Sequence, residues 1–548
     1  MPQVEPDRTK FQPVAQVWHL PQNDVTQKRA GVVLGILLAP LVLYLLVANV
    51  FLATPLLVKL TNRKPEKFFM TYDSAWTFWP GHVHVRGFHM RFQTYRVAFE
   101  LDIDKSTAEI ALTELLNRRF VAKNVGAHGV SYRHLHKVDP KQALDERTLA
   151  FPMIAGVAPN VSGPRPDPKQ KPKSKKVWSV RLDDVDAHID EVWIQEYRWR
   201  GKGTAVGSFE IVPRQSFWVG PVHTELQPGL VTVGKEIVST NFGGEADTTI
   251  TRVEFIRERK LRMLKGLNID GHFEGDVDDL KFLRVYGLTG SGDGKLAVDA
   301  DIREGTLREG TKVALDLPRV NVRYAKEGGG FTGSASVRAW DDEKPRVHAE
   351  AKGEVYIPLG GERVVSVAAP HTTGDLALTT SDFSKGTRLA WFDVKAPRLE
   401  AKDTKPLIDA MKGKVPFIVP ALLGSGPLRA REVQARGSPK RVRLRVGQAR
   451  MGETRVRGQV DIGGGRANGA IEANVAKLPI GITLKEGRPA FTMFAKPGWL
   501  EDHLKVESQR SALGEAGREP SAEEPQRGEQ ETTGRDAPAG DSRTAPSR

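Results

Sequence analysis

The chain contains no cysteine, and aromatic residues make up only 7% of it. The lack of cysteine excludes a disulfide framework, thiolate metal sites and a cysteine nucleophile. The sequence also has no G-x-S-x-G elbow, no H-E-x-x-H metal motif and no G-x-x-x-x-G-K-[ST] phosphate loop. Because no motif for catalysis or cofactor binding is present, we expect a protein that is not an enzyme and that holds no cofactor.

Positive charge is in excess, with a formal net charge of +14. Such a balance favours anionic partners, which include lipid head groups, lipopolysaccharide and nucleic acid. The basic strand at Arg441, Arg443 and Arg445 lacks the interleaved aromatic side chains on which single-stranded nucleic acid stacks. We therefore expect an anionic lipid as partner and no nucleic acid.

One long uncharged run lies near the start of the chain. Residues 30–58 read AGVVLGILLAPLVLYLLVANVFLATPLLV, and about 20 apolar residues suffice to cross a bilayer. A cleaved signal peptide has a shorter apolar core and a small-residue cleavage site. We therefore expect a retained transmembrane helix at 30–58 and a cytoplasmic tail at 1–29. The flanking charges nearly balance, but the Lys28–Arg29 pair favours a cytoplasmic N-terminus, with the bulk of the chain outside the cytoplasm.

After this run, apolar and polar residues alternate, which is the period of a β-strand with one apolar and one wet face. In RVAFELDID, charged residues alternate with four apolar ones, Val97, Phe99, Leu101 and Ile103. Similar strands occur at KLAVDADI, GSASVRAW, RVRLRVGQ and GAIEANVAK, and the glycine-rich stretch 463–469 is typical of a hairpin turn. These patterns predict a mainly β fold and argue against a parallel α/β fold.

Helical signals are few. LTELLNRRF, residues 112–120, predicts one or two helical turns, and TRVEFIRERKLRMLKG, residues 251–266, predicts a helix that ends at Gly266. GSGDGK, residues 290–295, is rich in glycine but has the wrong spacing for a phosphate loop. We interpret it as a hairpin turn.

Two stretches have too few apolar residues to form a packed core. Residues 158–177 are rich in proline and lysine and predict a linker or loop, and residues 507–548 predict a disordered tail. The rest of the chain after the anchor divides into three β-rich segments: a first extracytoplasmic segment at 59–157, a central segment at 178–400 and a C-terminal segment at 401–506.

The order of motifs near the N-terminus resembles a known family. The apolar run is followed by FWPGHVHVRGFHMRF and then by VAFELDIDKSTAEIALTELLNRRFVAKNVGAHGVSYR. This arrangement resembles the AsmA-like envelope proteins of Gram-negative bacteria, a group that includes TamB-like relatives. The later ADIREGTLREGTKV resembles a turn that recurs in that group. The resemblance is best over about residues 30–135, and its motifs are packing patterns, not chemical signatures.

The resemblance implies an elongated, curved antiparallel β-sheet behind a transmembrane helix, with a few short helices and an apolar groove. It implies a single-pass protein of the bacterial inner membrane, with the bulk of the chain in the periplasm, that handles or transports phospholipid between envelope membranes. The expected partners are then the inner membrane and phospholipid or lipopolysaccharide; the sequence names no protein partner in the envelope. The alternative is a structural or assembly scaffold for outer-membrane biogenesis, with a self-filled β core and no lipid transport.

The alternating strand supplies the candidate site. If its apolar face lies open, the groove-lining residues are Val97, Phe99, Leu101 and Ile103. If the chain itself fills that face, the same residues form a core. The pattern alone leaves both alternatives open.

The stretch between Ser74 and Phe92 raises a second question, because it holds His82, His84 and His89. On a strand, His82 and His84 share a face with Arg86, whose charge opposes a bound cation, so no metal site is expected.

Two tryptophans lie in the same stretch. We expect Trp76 and Trp79 at the membrane interface, beside the lipid head groups. The equally weighted alternative is that both tryptophans pack inside a small hydrophobic plug at the start of the β-rich region.

Overall fold

The computed structural model of the chain contains one large, open, curved β-sheet of 23 strands. The side chains of the first helix are described from Leu38 onward. The structure describes residues 24–94, 96–138, 145–157, 161–162, 177–213, 215–254, 260–324, 329–341, 345–359, 364–406, 409 and 426–505. The prediction of a mainly β fold with a few short helices is confirmed.

Most of the described chain lies in strands. Their bounds are β1 Phe68–Thr71, β2 Ser74–Trp79, β3 His82–Gln93, β4 Val97–Ile110, β5 Arg119–His136, β6 Ser179–Ile194, β7 Tyr197–Val212, β8 Ser216–Val233, β9 Glu236–Glu254, β10 Leu267–Val277, β11 Leu288–Arg303, β12 Thr306–Leu307, β13 Lys312–Tyr324, β14 Gly330–Asp341, β15 Pro345–Pro358, β16 Val364–Leu378, β17 Leu389–Ala401, β18 Leu428–Ser438, β19 Arg441–Met451, β20 Thr454–Gly463, β21 Arg466–Val475, β22 Leu478–Lys485 and β23 Arg488–Met493. The helices include α1 Asp24–Ala53, α2 Leu56–Thr61, α3 Leu112–Leu116 and α4 Glu146–Leu149, with 3₁₀ segments at Lys260–Gly266, Lys281–Tyr286 and Phe383–Lys385, and residues 405–406, 409 and 499–505 are also helical.

Strands pair with their neighbours in chain order. β1 and β2 both pair with β3 and form one edge of the sheet, and β23 lies at the other end. Every pair is antiparallel except β5 with β6. A parallel pair requires a long connection that returns to the starting end of the strand, and residues 137–178 make that connection. The predicted linker at 158–177 lies within it, and all of the linker except residues 161, 162 and 177 lies outside the described residues.

The sheet has two faces that the alternation in the sequence defines. Residues directly opposite each other on neighbouring strands share a face. We name the face that carries Phe99 the apolar face and the face that carries Glu100 and Asp102 the polar face. On β3, Phe92 lies opposite Phe99 and is on the apolar face.

A short segment, residues 145–157, covers the polar face at β4 and β5. We call it the strap. Its Ile154 packs against Ala98 and Leu135, both of which are fully buried, and Arg91 of β3 donates a hydrogen bond to the carbonyl of Ala155. The strap therefore buries a small core on the polar face, which the sequence pattern predicts to be exposed to solvent.

Helix α1 precedes the sheet and contains Pro40. Within the part of the chain that the structure describes, no helix is both long enough and apolar enough to span a membrane. The predicted span at 30–58 falls partly outside the described side chains, as does most of the predicted cytoplasmic tail at 1–29. The predicted disordered tail at 507–548 lies wholly outside the described residues.

Local predictions had mixed outcomes. The helical turn predicted at 112–120 is confirmed as α3. The hairpin turn predicted at 463–469 is confirmed by positive φ angles at Gly464 and Gly465. The helix predicted at 251–266 is wrong at its start, because β9 continues to Glu254, and its end at 260–266 is a 3₁₀ segment.

The turn predicted at 290–295 is also wrong, because these residues lie inside β11. Their glycines serve close packing instead. A Cβ on Gly290 would lie 2.5 Å from the carbonyl oxygen of Leu280, and one on Gly294 would lie 2.1 Å from that of Asp316.

Candidate functional site

The apolar face begins with a run of aromatic rings across β3, β4 and β5. The ring of Phe99 lies 5.3 Å from that of Phe92 and 6.2 Å from that of Tyr132. The structure places the four predicted groove-lining residues together on this face, each half-exposed: Val97, Phe99, Leu101 and Ile103. They therefore share one face of the sheet and are neither buried nor fully exposed.

Burial lowers the pKa of one histidine on this face. His134 lies opposite Phe99 in the register of β4 and β5. Burial, with a further effect of His136, lowers the pKa of His134. A lowered pKa favours the uncharged imidazole, which is compatible with an apolar surface.

On β7, Trp199 packs against glycines and continues the apolar face from β6 to β8. Trp199 lies in register with Val192, which in turn lies opposite Tyr132. A Cβ on Gly201 would come within 2.8 Å of the indole, and one on Gly229 within 2.6 Å. The absence of side chains at these glycines lets the ring lie against the backbone, where it is only 6% exposed.

From β10 to β21 the same face continues as an unbroken row of apolar side chains and glycine. Direct cross-strand pairing joins these residues in order: Phe273, Val298, Val313, Ala339, Val347, Leu376, Phe392, Gly437, Val442, Ile462 and Ala467. Towards the last strands the face is open, with Leu444 39% and Ile462 47% exposed. Phe491 and Met493 on β23 are exposed to a similar degree.

One part of the apolar face is filled by the chain itself. Leu280 and the adjoining 3₁₀ segment Lys281–Tyr286 pack on β11, β13 and β14 and bury Leu317 and Val320. The face is therefore locally plugged near the ends of these strands and open further along the sheet.

A row of basic side chains crosses β3 to β6 near the first edge, on the polar face, because the same register row continues through Thr204, Glu225 and Glu245 to His272. Arg86 of β3 lies directly opposite Lys105 of β4, and Lys105 lies opposite His128 of β5. The rings of His128 and His188 of β6 stack 4.4 Å apart. All four side chains are exposed. Because like charges placed directly opposite each other are unfavourable, this basic row is a candidate site for an anion.

Sequence reasoning missed the basic row. Its members come from four strands, and only the register brings them together. The available signal was the positive charge of Arg86 and Lys105 on two neighbouring predicted strands.

The three histidines of the first hairpin do not converge. His82 and His84 share a strand face with Arg86, before Gly87, whereas His89 lies beyond Gly87 and opposite Asp102. There its Nδ1 lies 2.6 Å from Asp102 Oδ1.

His89, Asp102 and Glu100 nevertheless form a cluster with possible metal ligands. Their ligand atoms lie within 4.8 Å of one another. However, Arg133 Nη1 donates to Glu100 Oε2 at 3.0 Å, and Arg133 also donates to Glu191 at 2.9 Å. The guanidinium already supplies positive charge to these carboxylates, so the arrangement is that of an ion-pair network.

The two tryptophans predicted at a membrane interface differ in exposure. Trp76 is half-buried and stacks on His84 with ring centroids 5.6 Å apart, and the Arg86 guanidinium lies 5.1 Å from the Trp76 ring. Trp79 ends β2 and is 58% exposed, next to Phe78 at 72%. The structure therefore places exposed aromatic groups at the β2–β3 turn.

A wide charged cavity of about 370 Å³ lies on the polar face across β8 to β11. Two cross-strand pairs form its walls: His223 Nδ1 lies 2.9 Å from Asp247 Oδ1, and His272 Nδ1 lies 2.6 Å from Asp299 Oδ1. The carboxylates that would bind a cation are already engaged by these imidazoles, and Arg303 bridges Asp270 and Asp301.

Comparison of the chain with protein-family models and with curated protein sequences finds no match.

Proposed function

We propose that this protein is a membrane-anchored envelope protein of the AsmA-like type that holds the acyl chains of phospholipid against the apolar face of its sheet. The observation that carries the proposal is the continuity of that face, which runs from β3 to β23 and is half-exposed over most of its length. Exposed apolar surface of this extent costs free energy in water, at about 25 cal/mol per Å², and marks a surface with a partner.

The basic row offers a second contact, for an anion, on the polar face. Phe88 and Ile103, which lie opposite each other on the apolar face, are two residues along the strands from the Arg86–Lys105 pair. A bound anionic group would reduce the repulsion between Arg86 and Lys105.

The proposed location is the bacterial inner membrane, with helix α1 as a single-pass anchor and the sheet in the periplasm. The uncharged sequence at 30–58 supports the anchor, and so do the exposed apolar side chains on one side of the helix. Those more than half exposed are Val42, Leu43, Leu46, Val47 and Val50.

A pair of charge substitutions on adjacent strands tests the lipid proposal. Leu444→Glu adds a carboxylate to the apolar face, and Gln459→Glu adds one to the polar face opposite Arg445. We expect the purified full-length protein to lose bound phospholipid with Leu444→Glu and to keep it with Gln459→Glu, measured by mass spectrometry of the lipid extract. Leu444 is already 39% exposed, so thermal unfolding of both variants should stay close to that of the parent.

The second candidate function is a scaffold in which the chain fills its own apolar face. The plug formed by Leu280 and Lys281–Tyr286 favours this alternative locally. Its test is Phe99→Glu, with Thr107→Glu at an exposed position on the polar face of the same strand as control. A carboxylate buried without a partner costs several kcal/mol, so a self-filled core predicts loss of folding for Phe99→Glu. Loss of lipid with near-normal unfolding supports the open groove, and a variant that keeps both leaves this face simply solvated.

A further inference from the structure

Two polar side chains of α1 join this helix to the sheet. Between Ala30 and Ala53 only two side chains carry a polar group, Tyr44 and Asn49. Both bind the backbone of the β2–β3 hairpin. Asn49 Nδ2 donates to the carbonyl of Thr77 at 2.9 Å, the Thr77 N–H donates to Asn49 Oδ1 at 2.9 Å, and the Gly81 N–H donates to the Tyr44 hydroxyl at 3.3 Å.

The two hydrogen bonds of Asn49 satisfy backbone groups of Thr77 at the open edge of the sheet. β2 pairs with β3 on one side only, so the outward backbone groups of Thr77 have no strand partner among the described residues. In water, solvent satisfies such groups, but in hydrocarbon each unsatisfied group costs several kcal/mol. The Asn49 side chain donates one N–H to the Thr77 carbonyl and accepts the Thr77 N–H at its oxygen, so both backbone groups are satisfied, and Thr77 is only 2% exposed.

The hairpin carries no charge where it meets the helix. Residues 74–81 read SAWTFWPG. Phe78 is 72% exposed and Trp79 58% exposed at its tip. An uncharged, aromatic and exposed turn fits a lipid environment better than an aqueous one.

The position of these hydrogen bonds along α1 indicates how deep the hairpin would lie in a membrane that α1 spans. A span of about 20 residues that begins at Ala30 ends at Asn49. Tyr44, which holds Gly81, lies five residues earlier, so at about 1.5 Å per residue the turn reaches about 7.5 Å beyond the level of Asn49 towards the membrane centre.

We propose that the β2–β3 turn, residues 78–81, is inserted into the membrane leaflet on the sheet side and is locked to α1 by Tyr44 and Asn49. This inference rests on the proposed function, since it requires α1 to span the membrane. It places the exposed aromatic side chains of the turn, Phe78 and Trp79, inside the leaflet. A lipid can then pass sideways from the leaflet onto the sheet without crossing water.

The absence of cysteine makes a single-cysteine test clean. Phe78→Cys probes the turn, and Lys440→Cys, in the exposed turn between β18 and β19, is the matched control. In sealed membranes with the sheet side outward, a water-soluble maleimide should label Lys440→Cys and should fail to label Phe78→Cys until detergent is added. Equal labelling of the two positions in intact membranes would overturn the inference.

Two further measurements separate this inference from the proposed anchor and from a folding defect. If the protein resists extraction by alkaline carbonate while Phe78→Cys is labelled, the anchor stands and the inserted turn is wrong. If carbonate extracts the protein, the anchor itself is wrong. Adding Asn49→Leu, or the milder Tyr44→Phe, to Phe78→Cys should release the turn and increase its labelling, while labelling at Lys440→Cys stays unchanged. Unchanged labelling at position 78 in both variants would contradict the lock.

Discussion

Cross-strand histidine–aspartate pairs recur along the polar face. Imidazole and carboxylate lie directly opposite each other at His89–Asp102, His223–Asp247, His272–Asp299 and His348–Asp375. The hydrogen bond that His348 donates to the Asp375 carboxylate raises the pKa of His348, against a smaller opposing effect of burial. Because these residues come from different hairpins, the recurrence is a property of the register and not of any local motif.

The pair at His348 predicts a pH-dependent contribution to stability. A raised pKa in the folded state means that the contribution is complete below the unfolded pKa of about 6.5 and is lost as pH rises through the folded pKa. We expect His348→Gln to lower the free energy of unfolding by up to ~1 kcal/mol near pH 6, and by less at alkaline pH. Thermal unfolding across that range measures the difference. The same pH trend in an Asp375→Asn background, where the pair is already broken, would contradict the assignment.

The glycines under Trp199 predict a second effect at the scale of single residues. A Cβ at Gly229 would lie 2.6 Å from Trp199 Nε1 and 2.7 Å from the carbonyl oxygen of Arg200. We expect Gly229→Ala to lower the free energy of unfolding by about 1–3 kcal/mol through overpacking. Gly374→Ala is the control, because its Cβ would meet only Val394 at an ordinary 3.6 Å. Equal unfolding midpoints for the two variants would show that Trp199 does not lie against this backbone.

Among the elements, the strap has a role that follows from strand topology. The parallel pairing of β5 with β6 forces the chain to return along the sheet, and the strap is the part of that return that buries Ala98 and Leu135. Its two neighbouring residues have opposite environments, since Ile154 is 4% exposed and Met153 88% exposed.

This contrast gives a prediction for the strap. Ile154→Ala should lower the free energy of unfolding by about 2–5 kcal/mol, because it leaves a cavity against the sheet. Met153→Ala should change it by less than about 0.5 kcal/mol. Chemical denaturation of the two variants provides the comparison, and similar midpoints would mean that the strap is not part of the folded core.

The elements that alternate cleanly could be predicted from the sequence, and the others could not, for physical reasons. The period of two at Val97–Ile103 and at Arg441–Val446 is set by the strand itself, so it is visible locally. The glycines at 290–295 imitate a turn, but they lie in a strand because Leu280 and Asp316 approach their backbone closely. Such contacts arise only after distant segments have packed.

At the scale of the whole molecule, the sequence-predicted β segments join in one sheet, and the candidate site is a property of that sheet. The four residues from Val97 to Ile103 could be named in advance as one face. The basic row could not, because Arg86, Lys105, His128 and His188 are brought together only by the pairing of four strands. The anchoring of the hairpin by Asn49 also depends on a contact between residues that are distant in the sequence.

The most direct test of the central claim is site-specific photocrosslinking of lipid in living cells. A photoreactive amino acid is placed in turn on the apolar face, at Phe99 and Leu444, and on the polar face, at Thr107 and Gln459. Adducts are then identified by mass spectrometry of the purified full-length protein. The account predicts phospholipid adducts at Phe99 and Leu444 and none at Thr107 and Gln459. Adducts on both faces alike, or on neither face while the protein remains in the membrane, would contradict it.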